Sequence, residues 1–255
     1  MEISRNKCYN IWYKSLEGAM PLSLIVDNVA RIREEMAHAA ARAGRDEKEI
    51  LLVAATKMND ASRVREAIAA GVDGCGENRV QELQQKLSEN AYAGCPLHFI
   101  GHLQKNKAKF LVGNVDLIQS VDSLPLLETI DRLARQKELV QNILLEINIG
   151  GETQKSGIPP EEADEFAGRM KEFPNLHLRG FMTIPPISVE NGGNLRYFEK
   201  MYQLYVDIKA KKYDNTSIDC LSMGMSDDFA DAIKEGTTMI RVGTSIFGSR
   251  QYVKN

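Results

Sequence analysis

Short apolar runs alternate with longer amphipathic segments from residue 50 to residue 242. Eight runs have the length and composition of buried strands, and they cover residues 50–56, 71–76, 97–100, 117–121, 143–148, 178–182, 218–222 and 238–242. Segments with helical spacing lie between them, at residues 62–70, 80–88, 124–138, 160–173, 195–211 and 227–235. Such alternation is typical of consecutive βα units around a parallel sheet.

Eight βα units in about 200 residues have the size of a TIM (β/α)8 barrel, although a doubly wound open sheet would show similar local patterning. We favour the single barrel. No linker rich in Pro, Gly or Ser interrupts the alternation, so we expect one domain over residues 20–255. Residues 1–19 show no clear period, and we interpret them as a dispensable N-terminal extension. A helical pattern then runs from Leu24 to near Gly44.

The composition excludes several classes of protein. The chain has 255 residues, is 43% hydrophobic and carries a net charge of −3, which argues against a nucleic-acid partner. No apolar stretch approaches the roughly 18 residues that span a bilayer, so we expect no membrane partner and a cytoplasmic location. The four cysteines and four histidines lack the spacing of a metal site. A monomer is expected, because no extra hydrophobic surface stands out.

Lys57 stands at the end of the first apolar run, where a buried strand surfaces into a loop. A lysine at the carboxyl end of a barrel strand points into the ligand-binding mouth, and partial desolvation there disfavours its charged form. The neutral amine can then attack a carbonyl carbon and form a Schiff base. An ordinary exposed lysine just past a strand is the alternative interpretation, and this segment alone leaves it open.

Small and hydroxyl-bearing residues follow the last two predicted strands. Residues 222–226 follow the seventh strand, and Gly243 and Thr244 follow the eighth. Loops at these two places form the usual phosphate site of a TIM barrel, with amides and hydroxyls that donate to the anion. Either loop alone is explained equally well by turn formation. Together with Lys57 they predict a phosphorylated carbonyl ligand, and pyridoxal 5′-phosphate (PLP) has both an aldehyde and a phosphate.

Five longer motifs resemble one known family. They are VAATK (53–57), GENRVQE (76–82), HFIGHLQKNK (98–107), LSMGMSDDF (221–229) and RVGTSIFG (241–248). These motifs are similar to those of the pyridoxal phosphate homeostasis proteins, the YggS/PROSC family. The resemblance extends from about residue 22 to residue 250, and the length and order of the motifs make it specific.

The resemblance implies a barrel similar to the N-terminal domain of alanine racemase, with PLP held as an internal aldimine on Lys57. Asn78 would lie near the ring, and Arg241 would face the pyridine nitrogen. A permanently cationic guanidinium there disfavours protonation of that nitrogen and weakens the electron sink of many PLP enzymes. The other expected cofactor-binding residues surround the phosphate, and they are Ser222, Met223, Ser226, Gly243 and Thr244. No catalytic residue and no metal ligand is expected.

The leading hypothesis is a PLP carrier that keeps the reactive aldehyde at low free concentration and can pass it to PLP-dependent apoenzymes. A PLP-dependent amino-acid racemase of narrow specificity is the first alternative, but racemisation needs an acid/base on each face of the α-carbon. The sequence ends soon after the eighth predicted strand, so we expect no second domain to supply one, and a site open to water.

A lysine Schiff-base aldolase is the second alternative. It requires a proton shuttle, and no second lysine or carboxylate can be placed beside Lys57 from the sequence. Lys155 follows the fifth predicted strand at the same face and could compete for the aldehyde, although a solvated loop lysine is the simpler interpretation. His102 is interpreted as a packing or loop hydrogen-bonding residue.

Overall fold

Eight parallel strands close into a barrel in chain order. The computed structural model of the protein describes residues 24–188, 190 and 192–248, so the predicted extension over residues 1–19 lies outside the described part. The strands are β1 Leu51–Ala55, β2 Gly74–Glu77, β3 Leu97–Phe99, β4 Leu117–Val121, β5 Gln141–Glu146, β6 Leu176–Met182, β7 Thr216–Ser222 and β8 Met239–Val242. β8 pairs with β1, which completes the circle. The predicted TIM (β/α)8 barrel is therefore confirmed, and the open sheet is excluded.

Helices cover the outside of the barrel. They are α1 Leu24–Arg42, α2 Ala61–Ala69, α3 Val80–Ser88, α4 Leu124–Gln136, α5 Ala163–Gly168, α6 Leu195–Lys211, α7 Phe229–Lys234 and α8 Thr244–Phe247. α1 precedes the first strand and buries the face that carries Val29, Ile32 and Met36, whose spacing is helical. It packs against α7 and α8, so the start of the described chain supports the last βα unit. Beyond α1, Gly44 takes a φ of +68°.

Most predicted strands and helices differ from the structure by one or two residues at an end, and three regions differ in kind. β2 begins at Gly74, because Gly71 has a φ of +95° and the carboxylate of Asp73 accepts a hydrogen bond from the Leu52 amide at 2.6 Å, which makes residues 71–73 a turn. The predicted helix over residues 160–173 is a short α-helix between two 3₁₀ turns. A 3₁₀ helix, Lys105–Phe110, joins β3 to β4.

Apolar side chains form two cores, one inside the barrel and one between the strands and the helices. The inner core consists of Val53, Leu117, Leu144, Met182, Cys220 and Met239. On β1, Leu52 and Ala54 belong to the outer core, so alternate residues face the interior. The same alternation on β8 turns Arg241 inwards, two residues after Met239. The inner core is therefore capped by polar side chains towards the carboxyl ends of the strands.

Candidate functional site

A chain of hydrogen-bonded polar side chains crosses the barrel interior. Arg241 donates from Nη1 to Oγ of Ser222 at 2.6 Å and from Nη2 to the carbonyl oxygen of Thr183 at 2.9 Å. Ser222 donates to Oε1 of Gln119 at 2.7 Å, and Nε2 of Gln119 lies 2.9 Å from Nδ1 of His98. All five residues are buried. Because each link satisfies the next, the network fixes the guanidinium of Arg241 in place.

Burial shifts the pKa values of the two residues at the ends of this network, His98 and Arg241. Desolvation lowers the pKa of His98 to about 4, so its ring is neutral near pH 7. The amide nitrogen of Gln119 can only donate, and Nδ1 of His98 therefore accepts its hydrogen bond. Desolvation also lowers the pKa of Arg241 to about 10, against the opposing pull of Asp228 and Glu146. Arg241 still keeps its charge at neutral pH, so the interior presents one fixed cation.

The loops after β7 and β8 bring amide donors together. The amides of Gly243 and Thr244 have no acceptor among the described residues. Oγ of Ser226 accepts a hydrogen bond from the amide of Ser245 at 3.4 Å, which joins the two loops. Neighbouring amide donors without an acceptor can bind an anion.

Gly224 shapes the first of these loops. Its φ is +92°, and a Cβ atom there would lie 2.6 Å from Cβ of Ala232. The close approach lets the carbonyl of Gly224 accept a hydrogen bond from the amide of Arg241 at 3.0 Å. Only glycine fits this position without strain.

Ser222 and Met223, both expected among the cofactor-binding residues, are hydrogen-bonded within the protein. The hydroxyl of Ser222 is wholly buried, and its hydrogen is engaged by Gln119. The amide of Met223 donates to the carbonyl of Met239 at 3.1 Å, as part of the pairing between β7 and β8. Neither residue has a donor left for an anion in this arrangement. Both support the loops from behind, Ser222 by holding Arg241 and Met223 by continuing the sheet.

Lys57 emerges at the same end of the barrel as these amide donors. Val53 pairs with Arg241 along β1 and β8, and the Cβ of Ala55 lies 3.4 Å from the position that a Cβ of Gly243 would take. Val53 faces the interior, and the alternation of the strand carries this direction through Ala55 towards Lys57. Lys57 itself is half-buried. The structure therefore brings the predicted Schiff-base lysine to the same end of the barrel as Gly243.

Asn78 lies after the neighbouring strand β2. Its Oδ1 atom is buried and has no hydrogen-bond partner in the described part of the chain. The backbone of Gly101 lies close to that of Asn78: a Cβ atom on Gly101 would be 2.2 Å from the Asn78 carbonyl oxygen. Oδ1 of Asn78 is therefore available to accept a hydrogen bond from water or from a ligand.

Two adjoining cavities of about 470 and 570 Å³ open at this end of the barrel, on the side of β3 to β6. Glu146, at the end of β5, lines the larger cavity and accepts a hydrogen bond from Oγ of Ser156 at 2.9 Å. Desolvation raises the pKa of Glu146. Lys155 contacts Glu152 and donates to the carbonyl of Pro185 at 3.3 Å, so this second amine is held by its own loop.

His102 also lines both cavities. Its side chain is 62% exposed, and Nδ1 lies 3.6 Å from Oδ2 of Asp122. In residues 24–188, 190 and 192–248, no group of three or more His, Cys, Asp or Glu side chains is arranged to hold a metal ion. No helix in those residues is long and apolar enough to cross a membrane.

Sequence comparison assigns the chain to a family. Residues 28–251 match the family described as alanine racemase, N-terminal domain. A pyridoxal phosphate homeostasis protein of Aquifex aeolicus is 40% identical over 227 residues, which are 89% of this chain and 98% of that protein. The chain belongs to the pyridoxal phosphate homeostasis protein family. The resemblance inferred from the five motifs is thus confirmed.

Two further relatives extend the comparison. The Escherichia coli K12 protein of that name is 40% identical over 233 residues, which are 90% of this chain and 98% of that protein. The structure of PipY from Synechococcus elongatus PCC7942, solved with PLP bound, is 31% identical. It superposes with a TM-score of 0.73 and covers 84% of this chain and 100% of its own.

Sequence reasoning missed Gln119, Glu146 and Thr183 in this candidate site, and it gave His98 no role there. Gln119 and Glu146 could have been found, because each places a polar side chain within an otherwise apolar strand run. Thr183 could not, since its contribution is a backbone carbonyl that any residue would supply.

Proposed function

We propose that this chain binds PLP through Lys57 and takes part in intracellular PLP homeostasis as a carrier that holds and releases the cofactor. The observation that carries the proposal is that Lys57 follows β1 at the same end of the barrel as the amides of Gly243 and Thr244, with the buried cation of Arg241 on the neighbouring strand β8. Proteins hold PLP with a lysine amine, an anion site for the phosphate and a polar partner for the pyridine nitrogen, and Arg241 is the candidate for that partner.

The residues present fit the chemical groups of PLP. Its phosphate is an acceptor for the amides of Gly243 and Thr244, with the hydroxyl of Ser226 next to them. The guanidinium of Arg241 has five N–H donors, of which the barrel interior uses those to Ser222 and Thr183, so a donor remains for the pyridine nitrogen. The unsatisfied Oδ1 of Asn78 can accept a hydrogen bond from a ring hydroxyl.

Bound PLP supplies an aldehyde that condenses with a lysine amine, with loss of one water molecule. The reverse step, hydrolysis, restores the lysine and the free aldehyde. Capture and release at Lys57 therefore need no reactant other than water, as a carrier requires. We propose that release serves PLP-dependent apoenzymes, which would draw the cofactor from the holoprotein.

Arg241 supports the carrier over the racemase. A guanidinium that keeps its charge at neutral pH disfavours protonation of an adjacent pyridine nitrogen and so limits the electron withdrawal that racemisation uses. We expect no appreciable incorporation of solvent deuterium at the α-carbon of any amino acid incubated with the holoprotein. Incorporation at a turnover rate of about 1 per second or faster would instead make it a racemase.

Cofactor titration of wild type and Lys57→Arg tests the proposal. Arginine keeps the positive charge but forms no Schiff base with an aldehyde. We expect one PLP per wild-type chain and a visible absorption band that survives gel filtration, and neither for the variant. A Lys57→Arg protein that keeps the band would show that another amine holds the cofactor. Delivery is tested by reactivating a PLP-dependent apoenzyme with holoprotein while a phosphatase destroys free PLP.

A further inference from the structure

The two peptide groups that flank Lys57 are both held by charged side chains of α3. Nζ of Lys86 donates to the carbonyl oxygen of Thr56 at 2.8 Å, and that carbonyl belongs to the peptide group before Lys57. Oε2 of Glu82 accepts a hydrogen bond from the amide of Met58 at 2.6 Å, and that amide belongs to the peptide group after Lys57. The main chain of Lys57 is thus fixed on each side.

These charged groups are tied into one buried cluster. Lys86 is 5% exposed and Glu77 is fully buried, and Nζ of Lys86 lies 2.5 Å from Oε1 of Glu77. The same Oε1 accepts a hydrogen bond from Oγ1 of Thr56 at 2.7 Å. Nζ of Lys86 also lies 3.8 Å from Oε2 of Glu82. A charge pair of this kind is costly to bury and difficult to rearrange, so it holds its neighbours in a single geometry.

The backbone conformation of Met58, the residue after Lys57, is one that the cluster holds in place. Its φ is +61°, in the left-handed region that is unfavourable for a residue with a Cβ atom. Such a conformation persists only where the surroundings over-determine it, and such positions are concentrated at functional sites. The hydrogen bond from the Met58 amide to Glu82 supplies that constraint directly after Lys57.

We propose that Glu82 is a positioning residue for Lys57, acting together with Lys86 and Glu77. The cluster fixes both adjoining peptide groups, so the main chain of Lys57 already has one conformation before PLP binds. The amine of Lys57 then meets the aldehyde of PLP without the entropy cost of ordering the loop. The inference rests on the proposed function, because it assumes that Lys57 forms the covalent link. It assigns no chemical step to Glu82, which acts only through the backbone.

Two ligands separate positioning from general stability. PLP can link to Lys57, whereas pyridoxine 5′-phosphate carries an alcohol in place of the aldehyde and probes the ring and phosphate site alone. We expect Glu82→Ala to weaken PLP binding about tenfold, the upper end of the effect of losing one hydrogen bond. Trapping of the Lys57 adduct by borohydride should slow by a similar factor. The affinity for pyridoxine 5′-phosphate should stay within about twofold, because its contacts lie elsewhere.

Two conservative variants of Glu82 show whether the length of its side chain or its charge is what matters. Glu82→Gln keeps an oxygen at the right distance and should behave as wild type. Glu82→Asp keeps the charge but is one methylene too short, and should behave as Glu82→Ala. Glu89→Ala, which removes an exposed carboxylate just after the same helix, is the matched control and should change neither affinity.

Three outcomes would overturn the inference: equal weakening for both ligands, no weakening for either, or loss in Glu82→Gln with retention in Glu82→Asp. If Glu82→Ala does not fold, as judged by circular dichroism, the comparison of the Gln and Asp variants decides the question. Failure of the proposed function looks different. In that case the wild-type protein itself would form no adduct at Lys57 and would bind both ligands equally well.

Discussion

The hydroxyl of Ser222 is the central link of the interior network, and its removal gives a quantitative prediction. Ser222→Ala leaves Nη1 of Arg241 and Oε1 of Gln119 without the partner that each now has at 2.6 and 2.7 Å. Arg241 is 4% exposed and Gln119 is fully buried, so bulk water does not reach them. The space left by one oxygen atom is too small for a water molecule, which occupies about 30 Å³ in the liquid.

The magnitude follows from the two lost hydrogen bonds. A bond to a charged donor contributes about 1.5–3 kcal/mol, and a buried acceptor left unsatisfied costs about 1–3 kcal/mol. Allowing for partial relaxation of the side chains, we expect the free energy of unfolding to fall by about 3 kcal/mol. In a chain of this size each kcal/mol changes the melting temperature by about 2–4 °C, so Tm should fall by about 6–12 °C.

Urea unfolding at pH 7, followed by circular dichroism, measures this loss. Ser88→Ala is the control, because the Ser88 hydroxyl lies on an exposed helix end and, among the described residues, bonds only the carbonyl of Gln85. We expect the control to stay within about 0.5 kcal/mol of wild type. A loss below about 1 kcal/mol for Ser222→Ala would refute the network energetics. If Ser222→Ala kept its stability but bound PLP more weakly, this result would support the phosphate contact that the sequence predicted for Ser222.

Two further predictions concern buried His98 and the loop glycine Gly224. Folding lowers the pKa of His98 from its ordinary value of 6.5 to about 4. Between these two pH values the unfolded protein therefore binds more protons at His98 than the folded protein does. Wild type should therefore lose about 3 kcal/mol more stability than His98→Gln between pH 7 and pH 4, and parallel pH profiles would contradict this. Gly224→Ala should cost at least about 2 kcal/mol, because its Cβ would lie 2.6 Å from that of Ala232. Gly44 also has a positive φ, but a Cβ there would have no atom within 4 Å. An equal loss of stability in Gly44→Ala would therefore show that the clash with Ala232 is not the cause.

The barrel was predictable because each strand is an apolar run with a turn at its end. All eight runs overlap a strand of the structure, and the helical segments 80–88 and 195–211 have the predicted bounds. The run at residues 71–76 was assigned too early because Asp73 uses its side chain to hold the amide of Leu52, a contact between segments that periodicity does not reveal.

The candidate site was predictable only in part. Lys57, Gly243 and Thr244 follow strands directly, and the barrel brings strand ends together, so sequence position alone placed them at one end. The engagement of Ser222 by Gln119 and Arg241 depends on which side chains meet across the closed barrel, 103 and 19 residues apart in the chain. The same holds for Glu82, which reads as an ordinary polar residue of an amphipathic helix until α3 packs against the loop after β1.

Borohydride reduction of the holoprotein, followed by peptide mass mapping, tests most directly whether Lys57 holds PLP. Reduction makes the link permanent and so records which amine carries the cofactor. We predict one pyridoxyl group per chain, on the peptide that contains Lys57, and none in Lys57→Ala. A pyridoxyl group found chiefly on Lys155 or another lysine of the wild-type protein, or on no lysine, would contradict the account.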